Sequence, residues 1–279
     1  MMNNTSPAQL LTRRDYFANE ADFHRQLFDD IGNIIKRMEN SSDKYYGDDE
    51  DKLSHTIVAS LGQLGYGATE QTKKNGSVDI TITTNTSQNK KFEWIAEAKI
   101  GYGPQKIFEG LLQLLTRYIK RDKCGGLIIY YQKDKSNVLF NNWLQYLYNK
   151  DWSEYCESKG TLGKLSPLLG HLEYNAYKKV ADDCYHADIK LIKPNGAPFD
   201  LRCFYVDVYH EPVDKSGTAN KSLKEGIARN KIREIYHLWE SGDFKNENQK
   251  ELFDALKIYF DGAMDPDRPE DLDDAINKL

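Results

Sequence analysis

The chain has 279 residues, 39% hydrophobic and 12% aromatic, so a folded core is expected and wholesale disorder is excluded. The formal net charge of −5 does not by itself indicate a nucleic-acid-binding protein. The sequence contains no apolar run of about 18 residues, so no membrane-spanning helix is predicted. The first residues lack the apolar segment of a signal peptide, and the four cysteines are far apart. We expect a cytoplasmic protein with reduced thiols and no membrane partner.

Charge is distributed unevenly along the chain. Residues 71–135 contain 12 lysines and arginines against 6 acids, whereas residues 261–279 contain 7 acids against 2 basic residues. A basic segment can attract a polyanion. A solvated surface of mixed charge accounts for the same counts equally well, so both interpretations stay open.

Two helices are predicted before the first strand. Apolar residues at helical spacing indicate the first within residues 15–38. After a polar linker, Asp48 or Asp49 can cap a second helix that runs to about Leu64.

Three extended segments follow, at residues 66–72, 77–83 and 91–99. The second and third alternate apolar and polar residues, as half-buried strands do. A helix is then predicted for residues 104–122, with a proline at its first position. The apolar run 125–131 predicts a buried strand, and a further helix follows it.

This order of elements predicts an α/β fold with a mixed central sheet flanked by helices. We assign an N-terminal helical segment to residues 1–47, a core to 48–150 and an extension, packed on the core, to 151–279. The extension contains a β-hairpin at about 182–211, helices at about 219–260 and an acidic tail.

The second and third strands carry charged residues where a sheet gains nothing from them. Strand alternation places Asp79 on the face opposite Val78 and Ile80. It also places Glu97 and Lys99 together on one face of the third strand.

A hairpin loop centred on Gln88 would set Asp79 opposite Glu97. Two carboxylates with Cβ atoms roughly 5 Å apart repel by about 3 kcal/mol at an effective dielectric constant of about 20. Protonation of one acid, an ion pair with Lys99, or a divalent cation such as Mg²⁺ could offset this repulsion. Geometry alone does not choose between a metal site and a structural ion pair.

The motif "SVD" at residues 77–79, followed by "EAK" at 97–99, resembles the core of the PD-(D/E)xK nucleases. The order of elements over residues 48–132 is similar to theirs, although Val78 stands where that family often has proline. The resemblance implies a restriction-endonuclease-like core, with the N-terminal helix, the C-terminal hairpin and the last helices as additions. It also implies an endonuclease that uses Mg²⁺, with Mn²⁺ able to substitute.

The resemblance assigns roles to the residues of these motifs. Asp79 and Glu97 would hold the metal together with the carbonyl of Ala98, and Lys99 would orient or deprotonate the attacking water. An acid on the preceding helix often helps to hold the metal in this family, and Glu50 is our choice. Its neighbours Asp49 and Asp51 are rivals, and a first-turn acid is also favoured by the helix dipole alone.

Some members of the family carry a Q-x-x-x-Y pattern on the helix after the ExK motif. Gln113 fits it as a further catalytic residue, but the tyrosine comes one residue late, at Tyr118. On an α-helix Lys106, Arg117 and Lys120 share the polar face of Gln113 and could bind a phosphate backbone. A solvated helix face explains them equally well.

We therefore expect a nuclease that acts on nucleic acid, with DNA favoured. Similar stand-alone proteins imply a role in restriction or anti-phage defence, as a homo-oligomer or as a partner subunit of a defence system. The alternative is a catalytically silent subunit that binds nucleic acid or another protein. The complete Asp79, Glu97 and Lys99 set argues against that alternative, whereas the acidic tail suits protein contacts.

Overall fold

The computed structural model describes residues 17–85, 91–181, 183–212 and 221–263. The start of the first predicted helix, the loop centre at Gln88 and the acidic tail lie outside these residues. The chain divides into two compact units, one formed by residues up to 45 with 49–209, the other by residues 46–48 with those from 210 onward.

The first unit is built on a six-stranded mixed sheet, with the order β1-β2-β3-β4-β6-β5. Its strands are β1 Gly67–Lys73, β2 Ser77–Asn85, β3 Lys91–Ile100, β4 Cys124–Tyr131, β5 His186–Ile192 and β6 Pro198–Asp207. Neighbouring strands are antiparallel from β1 to β3, parallel from β3 through β4 to β6, and antiparallel between β6 and β5. The predicted α/β class with a mixed sheet is confirmed.

Helices cover both faces of this sheet. They are α1 Glu20–Glu39, α2 Glu50–Gln63, α3 Pro104–Gln113, α4 Ser136–Tyr148, α5 Trp152–Ser158 and α6 Leu162–Leu169. Buried residues of α1 and α2 form one core with Ile80, Ile82 and Trp94 of the sheet. Residues of α3 to α6 form a second core with Ile95 and Leu127, on the opposite face. Since strand side chains alternate, the sheet contributes to both cores.

The hairpin predicted at about 182–211 forms β5 and β6, with Ile192 paired to Pro198. It is a continuous part of the central sheet, because β6 pairs in parallel with the whole of β4, from Cys124 opposite Asp200 to Tyr131 opposite Asp207.

The helix predicted over residues 104–122 is shorter than expected. The α-helix ends at Gln113 and a π-helical turn, Leu114–Tyr118, follows it. Ile119 is extended, and its N–H donates to the carbonyl of Leu114 at 3.3 Å. Lys120 therefore lies beyond the helix, and the prediction that it shares an α-helical face with Gln113 is wrong.

Val78 also departs from its predicted face. It packs in the core on the α3 side, whereas Ile80 and Ile82 pack on the α1 and α2 side. The backbone is irregular here, because Gln71, at the level of Asp79 on the neighbouring strand, has a left-handed φ of 52°. Regular alternation along β2 is interrupted at Asp79.

The second unit contains two helices in its described part, α7 Lys221–Ser241 and α8 Asn246–Ala263, close to the predicted positions. An ion pair of 2.9 Å between Lys231 and Glu251 links them. Several large apolar side chains of these helices are exposed: Tyr236, Trp239, Phe253, Ile258 and Phe260. Among the described helices of the whole chain, none has the length and apolarity needed to cross a membrane.

A partly buried carboxyl group lies at the C-terminal end of α1. Glu39 accepts a hydrogen bond from the N–H of Asp207 at 3.0 Å, while Ser136 donates to the carboxylate of Asp207 at 2.7 Å. Burial, only partly opposed by this hydrogen bond, raises the pKa of Glu39 from 4.5 to about 7. The folded state thus holds a proton that the unfolded chain releases at lower pH.

This proton makes the free energy of unfolding depend on pH. The Glu39 contribution is present below pH 4.5 and is lost as pH rises to about 7. We expect Glu39→Gln to leave stability nearly unchanged at pH 4.5 and to raise it by about 1–3 kcal/mol at pH 8 relative to the unsubstituted protein. Urea denaturation of both proteins across this range measures the difference. A pH-independent difference would contradict the assignment.

Candidate active site

The register between β2 and β3 brings the two motifs together. The observed pairs run from Asn85 with Lys91 to Ile80 with Ala96, which is the register predicted from a loop centred on Gln88. One residue further along each strand are Asp79 and Glu97. There the N–H of Ala98 donates to Oδ2 of Asp79 at 2.9 Å, so a side chain continues the connection between the strands.

The ammonium group of Lys99 lies among the acids. Its Nζ is 2.9 Å from Oε1 of Glu97 and 3.7 Å from Oδ2 of Asp79. It also lies 3.0 Å from Oε1 of Glu50 and donates to the carbonyl of Ala98 at 2.6 Å. One cation therefore joins three carboxylates that come from β2, β3 and the start of α2.

Of the three neighbouring acids at the start of α2, Glu50 reaches this site. Its Oε2 accepts from the N–H of Ile100 at 3.1 Å, while its Oε1 faces Lys99. Asp49 instead caps the helix by accepting from the N–H of Lys52 at 2.9 Å. Asp51 is exposed and lies 3.4 Å from the side-chain nitrogen of Gln71.

Burial makes Glu97 the most perturbed acid of the site. Its side chain is 3% exposed, and its Oε2 atom is buried with no hydrogen-bond partner. Burial, reinforced by Asp79 and Glu50 and opposed by Lys99, raises the pKa of Glu97 to about 7. Partial protonation of Glu97 and the ion pair with Lys99 both reduce the repulsion between the carboxylates.

Lys99 keeps its charge despite being largely buried. Burial alone would lower the pKa of its ammonium, but the carboxylates of Glu50, Glu97 and Asp79 outweigh that effect and hold the pKa above its ordinary value. Burial also raises the pKa of Glu50, against the opposing effect of Lys99. The site thus holds a permanent cation next to acids whose ionisation is penalised.

A glycine on α3 makes room for the Lys99 side chain. A Cβ atom at Gly110 would lie 2.7 Å from Cγ of Lys99 and 3.0 Å from its Cε. The stem of the lysine therefore runs directly against the helix backbone, which fixes where the ammonium group can lie. Sequence reasoning missed this residue, because a glycine inside a helix has no distinctive pattern.

The π-helical turn explains the spacing of the Gln113 and Tyr118 pair. A π turn closes over five residues instead of four, and five positions is the separation of Gln113 from Tyr118. Tyr118 is buried, its ring would contact a Cβ at Gly76, and Glu97 and Asp79 contribute, after burial, to raising its pKa. The Oε1 of Gln113 is buried with no hydrogen-bond partner. The late tyrosine was the signal in the sequence.

The predicted phosphate-binding residues lie at different places around α3. Lys106 is half-exposed and lies 3.5 Å from the carboxylate of Glu109. Arg117 is exposed in the π turn, where its carbonyl accepts a hydrogen bond from Asn75 at 3.3 Å. Lys120 is exposed in the following loop. The π turn and the end of the helix separate these three cations.

The donor set at the site suits a hard divalent cation. Oxygens of Asp79, Glu97 and the Ala98 carbonyl converge, and Mg²⁺ is usually bound through one or two carboxylates with water completing its shell. The unpartnered Oε2 of Glu97 offers a further oxygen. Among the described residues, no three His, Cys, Asp or Glu side chains are grouped so that they alone could hold a metal ion, so a metal here would need the Ala98 carbonyl and water besides the two carboxylates.

Comparisons with protein-family models, with curated proteins and with solved structures each give no significant match. A functional proposal for this chain therefore depends on its own residues and their geometry.

The contact between Gly110 and Lys99 can be tested by stability measurements. Alanine in a helix interior is normally favoured over glycine by about 1 kcal/mol. We expect Gly110→Ala to be destabilising instead, by about 1–3 kcal/mol, because the methyl group overlaps the Lys99 stem. Gly32→Ala in α1 is the matched control, since nothing lies within 4 Å of its Cβ, and it should stabilise the protein.

A double variant identifies the contact partner. In a Lys99→Ala background the Cγ, Cδ and Cε atoms are gone, so Gly110→Ala should lose its destabilising effect. Chemical denaturation of the four proteins gives the coupling free energy. Equal effects of Gly110→Ala in both backgrounds would show that the glycine is needed for another reason.

Proposed function

We propose that this chain is a metal-dependent nuclease that hydrolyses phosphodiester bonds, with DNA as the favoured substrate. The observation that carries the proposal is the convergence of Asp79, Glu97, Lys99 and the Ala98 carbonyl at the point where β2 and β3 diverge. These are the residues of the D…ExK motif, and the observed register is the one that brings them together.

Mg²⁺ would be held by Asp79, Glu97 and the carbonyl of Ala98, and when bound it would stabilise negative charge on the phosphate and acidify water. Lys99 is fully charged next to these ligands. Its ammonium can orient the attacking water and stabilise the developing negative charge. The resemblance makes Glu50 a further metal ligand, but its two oxygens are engaged by Lys99 and by the N–H of Ile100. We therefore assign Glu50 to positioning the ExK segment against α2.

We assign Gln113 and Tyr118 to the α3 side of this site. Tyr118 lies close enough to Glu97 and Asp79 for their charges to raise its pKa further above the value that burial alone gives. Arg117, which is adjacent to Tyr118, and Lys120 are exposed cations in the segment that follows α3. We assign both residues, with Lys106, to binding of the phosphate backbone. We also propose that the protein acts in anti-phage defence, either as a homo-oligomer or with a partner subunit.

Nuclease activity should depend on each residue of the motif. We expect Asp79→Asn, Glu97→Gln and Lys99→Met each to lower the cleavage rate of plasmid DNA at least about 100-fold, because each removes a metal ligand or the charge that stabilises the transition state. Lys190→Ala is the control, since its exposed side chain pairs with Asp200, between β5 and β6 at the other edge of the sheet. Digestion of DNA and RNA with Mg²⁺, Mn²⁺ or EDTA measures the activity.

Unimpaired cleavage by Glu97→Gln would eliminate this site as the catalytic centre. Metal-independent binding of nucleic acid without cleavage would favour a silent binding subunit. Neither binding nor cleavage would favour a protein-interaction subunit. The exposed aromatic residues of α7 and α8, such as Trp239 and Phe253, are the structural observation that fits this last function.

The phosphate-binding assignment gives a separate prediction. In an inactive Asp79→Asn background, we expect Arg117→Ala and Lys120→Ala each to weaken duplex DNA binding several-fold. Each substitution should also reduce the slope of log association constant against log salt concentration by about one, because each lost phosphate contact releases fewer counterions. Fluorescence anisotropy across salt concentrations measures both. The control is Lys190→Ala in the same Asp79→Asn protein. If the Arg117 and Lys120 variants show the same salt dependence as Asp79→Asn or as this control, these residues do not contact the DNA phosphates.

A further inference from the structure

Lys99 touches the same oxygens that we assign to the metal. Its Nζ is 2.6 Å from the Ala98 carbonyl oxygen, 2.9 Å from Oε1 of Glu97 and 3.7 Å from Oδ2 of Asp79. The carbonyl and both carboxylates of the proposed ligand set thus surround an ammonium group. The fourth contact, to Oε1 of Glu50 at 3.0 Å, belongs to a different element, the start of α2.

A divalent cation and the ammonium group would compete for these oxygens. Mg²⁺ binds its oxygen ligands at about 2.1 Å, so an ion bound to the Ala98 carbonyl, itself 2.6 Å from Nζ, would lie less than about 5 Å from the ammonium group. The repulsion between them would be strong, because the side chain of Glu97 is almost fully buried and water screens it poorly.

Glu50 is placed to keep Lys99 when the other contacts are lost. Its Oε2 is fixed by the N–H of Ile100 at 3.1 Å, independently of Lys99. Its Oε1 faces the ammonium group of Lys99, and the stem of Lys99 packs against the α3 backbone at Gly110. A short movement of Nζ toward Glu50 would free the oxygens of Asp79, Glu97 and Ala98 without releasing the lysine from the site.

We propose that Lys99 is a resident cation that a divalent metal must displace from the oxygens of Asp79, Glu97 and Ala98, with Glu50 retaining the displaced ammonium group. The proposal rests on the metal site of the proposed nuclease and adds its regulation. Lys99 neutralises the acids when metal is scarce, and it weakens the metal affinity of the site. Lys99 thus competes with the metal for its ligands before the metal binds, and it assists hydrolysis once the metal is bound.

Metal affinity without any nucleic acid tests this competition. We expect Lys99→Met and Lys99→Gln to bind Mn²⁺ at least 10-fold more tightly than the unsubstituted protein, measured by titration calorimetry. Lys74→Met is the matched control, because Lys74 is also a partly buried lysine that pairs with two acids, Glu93 at 2.7 Å and Asp122 at 3.4 Å. It should change the affinity less than threefold. Asp79→Asn should abolish tight binding.

Thermal denaturation keeps the test valid if the Lys99 variants are unstable. A ligand that binds only the folded state raises Tm by more when it binds more tightly, so Mn²⁺ should raise the Tm of Lys99→Met more than that of the unsubstituted protein. Equal or weaker Mn²⁺ binding by both Lys99 variants would overturn the displacement proposal and leave the nuclease proposal standing. Absence of Mn²⁺ binding in every variant would overturn both. Tighter binding in a protein that cleaves no nucleic acid would support displacement and refute only the nuclease.

Discussion

The ionic contact between Lys99 and three carboxylates is the constraint on which the site depends. Asp79, Glu97 and Glu50 come from three different elements, and without a cation their mutual repulsion would push those elements apart. The buried ammonium meets this need with a single side chain, at the place where the backbone pairing of β2 and β3 gives way to a hydrogen bond from Ala98 to Asp79. The charge of Lys99 therefore stabilises the fold at this point and also takes part in the proposed chemistry.

The sequence predicted the part of the site that depends on local pairing. A hairpin loop centred on Gln88 fixes the pairing of β2 with β3, so that assumption is enough to place Asp79 next to Glu97 and Lys99, although alternation along β2 is interrupted at Asp79. Glu50 could not be separated from Asp49 and Asp51 in the same way. The choice among them depends on how α2 is rotated against the end of β3, which is a matter of tertiary packing.

Other features could not be predicted from apolar periodicity or residue propensity. Buried residues Leu111, Leu114, Leu115, Tyr118 and Ile119 follow the spacing of an uninterrupted α-helix, so apolar periodicity could not reveal the π turn. The displaced face of Val78 accompanies a left-handed backbone at Gln71 on the neighbouring strand, and glutamine has no special preference for that conformation. The place of β6 beside β4 joins residues about 75 positions apart, which no short-range pattern specifies.

The pairing of β4 with β6 affects how the chain behaves during synthesis and after truncation. Until β6 has been synthesised, the strand β4 presents an unpaired edge of largely apolar residues, from Cys124 to Tyr131. Such edges recruit strands from other chains. A nascent or truncated chain that ends near residue 150 contains Asp79, Glu97 and Lys99 but exposes the edge of β4. We expect such a chain to aggregate. The smallest piece that can carry the site as a folded unit must extend through Asp207.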